Sequence, residues 1–247
     1  MPNLHLQHTG QNFPLYYYEK TEANPLSRDM FVPAAPVTGE YVRKEAIPDS
    51  ILAEFRQTYA APAMTKEDIF YYVYGILHSS EYKRRFAADL KKMLPRIPFA
   101  QDFWAFSQAG RALAAWHLNY ETIEPYPLTE RKSRLDLEAT DYRVQKMTFG
   151  RNGKEIDKST IVYNSHVTLS GIPLGAYDYI VNGKSALDWI MERYQVTRDK
   201  DSDITNDPND WSDDPRYIVD LVKRIVRVSL ETVQLVNGLP ALNERVG

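Results

Sequence analysis

The stretch with the most chemical promise is Tyr177–Tyr194, YDYIVNGKSALDWIMERY, because Gly183-Lys184-Ser185 stands directly ahead of a helical pattern. A loop that cradles phosphates through backbone N–H groups needs a second glycine five positions before the GK glycine. That position is Asp178, whose carboxylate would repel the phosphates. No GxGxxG is present, which removes the dinucleotide fingerprint. Asp199, Asp201 and Asp203 have the opening spacing of a calcium loop. However, Ile204 stands at the sixth position, where the sharp turn takes glycine, and Asp210 stands at the twelfth in place of glutamate. The histidines, His5, His8, His78, His117 and His166, form no HExxH, and no serine lies in a GxSxG elbow. NDPND at 206–210 has one proline and no closing aromatic, so it does not match the Asn/Asp-Pro-Pro-Tyr/Phe motif of amino methyltransferases. The absence of cysteine excludes thiolate catalysis, disulfides and Cys-based zinc sites. No catalytic constellation and no metal or cofactor site is expected in this chain.

Basic residues are more informative. Lys83, Arg84, Arg85, Lys91, Lys92 and Arg96 face a single acid, Asp89, between Tyr82 and Arg96. Arg131, Lys132 and Arg134 form a second group, and Arg216, Lys223, Arg224 and Arg227 a third. Such groups neutralise phosphates and give salt-dependent binding; any one of them can equally be a solvated face. Seventeen tyrosines are available for stacking or polar contacts, though most belong in a core with their hydroxyls at the surface.

The elements that must position these residues follow from periodicity. Tyr177, Tyr179 and Val181 alternate with Asp178 and Ile180, predicting a strand over 177–181, followed by an Asn182-Gly183 turn. Ser185 with Asp188 predicts a capped helix with Leu187, Ile190, Met191 and Tyr194 on one face. Earlier, FPLYYYE (13–19) reads as a strand, and Pro25, Pro33 and Pro36 punctuate the linker after it. Helices are expected with Ile51, Leu52, Phe55 and Tyr59 on one face, then from a Thr65/Asp68 capping box with Ile69, Phe70, Val73, Ile76 and Leu77 inward. A third is expected from a Ser80 cap to about Leu94, and a fourth over 102–118 with Phe103, Phe106, Leu113 and Trp116 inward. YRVQKMTFG (142–150) and KEIDKSTIVYN (154–164) flank Arg151-Asn152-Gly153, a hairpin turn, and HVTL with the 177–181 strand would extend that sheet. Asp214-Pro215 opens a long helix bearing Tyr217, Ile218, Leu221, Val222, Ile225 and Val226, ending near Gly238.

The fold expected is α+β: a helical half plus a mainly antiparallel sheet, closed by a long C-terminal helix. Its parts are residues 1–45 (strand and linker), 46–140 (helical) and 141–247 (sheet and last helix), as one composite domain. The 247 residues, 43% hydrophobic, suffice for one large domain or two modest ones. Lys plus Arg total 30 against 33 Asp plus Glu, so nucleic-acid affinity must come from local patches and not from the whole chain. No apolar run approaches the ~20 residues that span a bilayer, and the N-terminus lacks signal-peptide character, so a cytoplasmic setting is expected. A strand so close to Met1 leads us to expect a piece of a longer polypeptide.

Several phrases together resemble one family. They are FPLYYYE at 13–19, TKEDIFYYVYGILHSSEYKRRFAADLKKMLPRIPF at 65–99, HLNYE at 117–121, YIVNGKSALDWIMERYQV from 179, NDPNDW, and DPRYIVDLVKRIV ending at 226. Nearly the whole chain is similar to the C-terminal specificity region of the Type ISP restriction–modification enzymes, prokaryotic single polypeptides often labelled DEAD/DEAH-box helicases. The resemblance implies a target recognition domain that reads a short asymmetric double-stranded DNA sequence and catalyses nothing alone. It implies intramolecular partners, namely nuclease, ATP-driven translocase (helicase) and adenine-N6 methyltransferase domains, with ATP, Mg2+ and S-adenosylmethionine serving those domains. Framework residues recur between enzymes with different targets, so base readout is expected in the less familiar hairpin and loops: Lys146, Arg151, Asn152, Lys154, Asn206 and Asn209. Phosphate contacts are expected at Lys83, Arg84, Lys91, Lys92, Arg96, Arg216 and Lys184, the last beside a helix N-terminus. The other reading is a non-catalytic protein–protein module coupling a motor to its methyltransferase.

Overall fold

The computed structural model describes residues 13–20, 41–92 and 95–245; His5, His8 and the prolines at 25, 33 and 36 lie outside them. The protein is α+β and divides into two compact units, Met1–Arg111 with Pro240–Gly247, and Ala112–Leu239.

In the first unit, β1 (Tyr16–Lys20) pairs antiparallel with β2 (Tyr41–Glu45), and all ten residues are exposed. Four helices follow: α1 (Asp49–Tyr59), α2 (Lys66–His78), α3 (Ser80–Arg85) and α4 (Ala87–Lys91). The Thr65/Asp68 capping box forms as expected, with each partner satisfying a backbone N–H of the other. On α1 only Phe55 is buried, while Ile51 is exposed. The cap of α3 is Ser79, not Ser80: its backbone is extended and its side chain accepts from the N–H of Tyr82. The expected long third helix breaks at Phe86, whose non-helical backbone lets its ring stack on Tyr82 at 4.8 Å.

Tyr72, absent from the expected apolar stripe, is fully buried and stacks on Phe103 at 4.7 Å. Its hydroxyl donates to the carbonyl of Pro98 (2.5 Å) and accepts from the N–H of Ala100 (2.8 Å). Tyr59 and Tyr82 donate to the carbonyls of Ala100 and Arg96. Three tyrosine hydroxyls thus satisfy the extended segment ahead of α5 (Phe103–Leu118), which a purely apolar core would leave unpaired.

In the second unit, the sheet has the order β3-β6-β5-β4, all neighbours antiparallel. Its strands are β3 (Thr129–Lys132), β4 (Thr148–Asn152), β5 (Glu155–Val162) and β6 (Val167–Ser170). Strand β4 is shorter than expected, since Tyr142 closes a 3-10 turn and Val144 and Met147 are buried outside any strand. Of the expected strand at 177–181, Tyr177 and Asp178 close a 3-10 turn, Leu174–Asp178, and Ile180–Val181 form β7, which pairs with β8 (Lys184–Ser185) outside the main sheet. Tyr177 turns inward because its hydroxyl donates to the carbonyl of Lys158. The Asn182-Gly183 turn holds, with positive φ at both residues. Ser185 caps α6 (Ala186–Arg193) by accepting from the N–H of Asp188.

The polar loop that follows carries its own short pair, β9 (Thr197–Arg198) with β10 (Thr205–Asn206). The last helix, α7 (Tyr217–Asn237), starts two residues later than Asp214-Pro215 suggests, with Asp214 accepting from the N–H of Arg216. Leu221, Val222, Ile225 and Val226 of α7 share one buried cluster with Ile161, Val167 and Leu169 of the sheet and Leu187 and Met191 of α6. The helices therefore cover one face of the sheet and leave the other open. No helix among the described residues is long and apolar enough to cross a membrane.

Candidate nucleic-acid interface

Strand β3 is polar throughout (Thr-Glu-Arg-Lys), and its inward position holds a carboxylate in place of a hydrophobe. Glu130 accepts from Arg216 at 2.6 Å and from Lys223, both on or just ahead of α7. Burial alone would raise its pKa, but the hydrogen bonds and charges of those two cations overcome this and draw it down to about 2. Arg216 also bonds Asp220 at 3.0 Å and lies over the Tyr142 ring at 4.9 Å. Arg216 therefore leaves the phosphate set: it is consumed in joining α7 to β3.

Ion pairs also occupy four further cations of this unit. Arg143 bonds Asp207 and Asp210, Arg134 bonds Asp141, and Arg198 forks onto Asp203 at 2.6 and 2.7 Å. Lys184 bonds Glu192 and lies 5.0 Å from the Trp189 ring. That pair is solvent-exposed and screened by water and salt, so Lys184 remains open to exchange with a phosphate. Asn209 departs from the readout set. Its Oδ1 accepts from the N–H of Val144 (2.8 Å), and its Nδ2 donates to the Val144 carbonyl (2.9 Å) and to Asp207. The amide acts as a strand mate for a buried backbone. Asn206, on β10, stays exposed.

Arg131, Lys132, Lys146 and Arg151 are exposed and make no ion pair among the described residues. Arg131 stands opposite Thr168 on the open side of the sheet, Lys132 stands opposite buried Val167, and Lys146 lies ahead of β4. Arg131, Lys132 and Arg151 border a groove of about 430 Å3 with Thr160, Thr168 and His166. Lys146 and Gln145 border an adjoining hollow of about 380 Å3, and both hollows share Val162, Ser165 and His166. The floor is drawn together at Gly150, where a Cβ would lie 2.8 Å from Cβ of Thr160, at a register shift between Phe149 and Gly150. His166 is oriented by Ser133 (3.0 Å), and its loop by Asn164, which accepts from the N–H groups of His166 and Val167. One acid, Asp157, lies in the groove; hydrogen bonds from Ser159 hold its carboxyl below the usual range and turn it toward its own strand. Sequence reading placed Arg131 and Lys132 in a group able to neutralise phosphates but not among the named site residues, and weighed His166 only as a metal ligand.

At the end of the sheet, Asn152 pairs with Glu155 across a two-residue turn, Gly153-Lys154, with φ +63° at Gly153. Arg151 and Asn152 are therefore strand residues at the tip of the β4–β5 hairpin and not the turn itself; Lys154 is in the turn. In the first unit, Lys83, Arg84, Lys91, Lys92 and Arg96 are exposed and without ion pairs among the described residues, whereas Arg85 is held by Glu244, Glu81 and the Leu242 carbonyl.

Residues 1–221 match the family model described as the Type ISP C-terminal specificity domain. The chain belongs to that family. Solved structures agree. This specificity domain is 34% identical to a segment of the ATP-dependent Type ISP restriction–modification enzyme LlaBIII bound to DNA, with a TM-score of 0.77 over 94% of the present chain. It is 39% identical over 82% of its length to a nuclease-deletion mutant of the Type ISP enzyme LlaGI in complex with a DNA substrate mimic, with a TM-score of 0.69. A DrdV–DNA complex matches at 30% identity over 81% of the chain, with a TM-score of 0.70. The specificity domain spans 14% of the LlaBIII and LlaGI chains and 20% of the DrdV chain. Comparison with curated proteins returns no match.

Proposed function

We propose that this domain recognises a short double-stranded DNA sequence and directs the methyltransferase, translocase and nuclease modules of a Type ISP restriction–modification polypeptide, catalysing nothing itself. The observation that carries the reading is the sorting of cations in the second unit. Arg134, Arg143, Arg198, Arg216 and Lys223 are ion-paired, while Arg131, Lys132 and Arg151 border one groove, and Lys146 an adjoining hollow, without an ion pair among the described residues. The β4–β5 tip is a two-stranded ribbon, an element narrow enough to enter a major groove about 12 Å wide. Arg151, Asn152 and Lys154 at that tip are the base-reading residues, with Asn206 as a further contact. Phosphate contacts from Lys83, Arg84, Lys91, Lys92 and Arg96 add sequence-independent affinity.

ATP, Mg2+ and S-adenosylmethionine would serve the other modules. The residues here do not fit them: the GKS segment forms a β-turn and helix cap with Asp178 upstream, and no group of three or more His, Asp or Glu among the described residues could hold a metal ion. A second reading, protein–protein coupling, is favoured by the paired strands β1 and β2, whose Tyr18 and Tyr41 stand 65% and 57% exposed, with Phe13 ahead of them 65% exposed.

Selection of randomised duplexes by the 247-residue chain, with sequencing of the retained fraction, tests the choice. Recognition predicts one enriched short sequence, with Arg151→Ala or Asn152→Ala relaxing preference while non-specific affinity persists. No enrichment would favour coupling, and unchanged preference in both variants would remove the hairpin from readout.

A further inference from the structure

We infer that the concave open face of the β3-β6-β5-β4 sheet seats one phosphodiester strand of the duplex, with Arg131, Lys132 and Lys146 as its phosphate ligands. This rests on the DNA-recognition reading and deepens it, because it assigns different work to the groove and to the hairpin beside it. Shape is the first argument. Base edges lie inside the grooves of a duplex, so the protein part that reads them must protrude. The β4–β5 tip protrudes, whereas the sheet face is hollow. A hollow receives a ridge, and the ridges of a duplex are its phosphate backbones.

Charge is the second argument. Arg131 and Lys132 border one hollow and Lys146 the adjoining one, all exposed and without an ion pair among the described residues. The neighbouring cations Arg134 and Arg143 are neutralised by Asp141, Asp207 and Asp210. Asp157, the acid in the groove, is turned onto Ser159. The local balance is therefore positive although the chain totals 30 cations against 33 acids.

The lining is the third argument. Thr168 and Ser165 bring hydroxyls to the lining, while those of Thr160 and Ser133 bond Asp157 and His166. Hydroxyls are common neutral partners of phosphate oxygens and carry no sequence information. The two hollows share Val162, Ser165 and His166, so the seat runs on past a single phosphate. Lys146, expected from sequence to read a base, becomes a backbone ligand.

The test is a salt series on the enriched duplex and on a scrambled one, by fluorescence anisotropy, for the 247-residue chain. Variants are Arg131→Gln, Lys132→Gln and Lys146→Gln, with Lys200→Gln, an exposed lysine outside the hollow, as control. Each groove variant should flatten the slope of log affinity against log salt by about 0.9, so that its deficit relative to wild type shrinks ~3.5-fold between 50 and 200 mM salt. Both duplexes should weaken by the same factor, so preference is retained, and Lys200→Gln should match wild type. Wild-type slopes in all three groove variants overturn the inference. So does a loss of preference at one base position, which would make the groove a reader. If wild type shows no preferred sequence yet the groove variants still flatten the slope, the seat stands and the recognition reading falls.

Discussion

Replacing Glu130 by Gln should destabilise the second unit strongly at neutral pH and much less in acid. The substitution keeps the shape and removes the charge that Arg216 and Lys223 share. The Glu130 side chain is 13% exposed and that of Lys223 12%, so water cannot replace the lost partner. Drawing the carboxyl from 4.5 to about 2 is a stabilisation of roughly 3 kcal/mol at ~1.4 kcal/mol per pH unit. That agrees with the ~3–5 kcal/mol typical of breaking a buried pair by removing one member. Because the folded pKa lies below the unfolded one, the stabilisation is full above about 4.5 and fades as pH falls toward 2. At pH 3 roughly 1.5 kcal/mol should remain. Urea unfolding followed by tryptophan fluorescence is suited to the measurement, since Trp116, Trp189 and Trp211 all lie in this unit. With a urea slope of ~1–3 kcal/mol/M, the midpoint at pH 7 should fall by about 1–3 M. A shift below ~0.3 M at pH 7, or one equally large at pH 3, would refute the cluster as the tie between α7 and β3.

Two further substitutions probe the frame around the open sheet face. Asn209→Ala should cost about 2–4 kcal/mol in urea unfolding, because it strips the N–H and carbonyl of fully buried Val144 of their partners. Asn209→Asp, which keeps only the acceptor, should fall between, and neither should alter DNA sequence preference. Gly150→Ala should lower the thermal midpoint by the equivalent of ~1–3 kcal/mol, since its methyl would stand 2.8 Å from the Thr160 Cβ and force the strands apart. An unchanged midpoint would show that the bulge can open freely.

Local signals carried much of the fold. The Thr65/Asp68 box, the Ser185 cap, the Asn182-Gly183 turn and the apolar stripe of α7 were all legible, because each is set by residues within one or two turns of one another. The fold class and the family resemblance held as well. What escaped was set at a distance. Strand β3 has no alternating hydrophobes, since its inward residue is a carboxylate satisfied from 86 and 93 residues away. Tyr72 was overlooked because a tyrosine is admitted to a core only where its hydroxyl finds partners, here 26 and 28 residues on. The alternation at 177–181 misled because Tyr177 buries its ring from a 3-10 turn, a geometry that period two cannot tell from a strand.

The same distance effect governs the candidate site. A list of basic residues treats Arg131 and Arg134, or Lys146 and Arg143, as equivalents. Only the folded chain shows that one of each pair has met an acid and the other has not. A paired cation lends little field at a distance, because its partner cancels it; an unpaired one beside a hollow retains nearly its full charge toward a ligand. This is how a chain of net charge −3 can present a face suited to a polyanion. The acids are not spread as a uniform background. Asp141, Asp207, Asp210, Glu130 and Asp220 are spent on cations that brace the framework, which leaves Arg131, Lys132 and Arg151 unpaired around the groove. Lys184 fits the same logic with the opposite sign of outcome: it is braced by Glu192, but so loosely in solvent that a phosphate could compete for it.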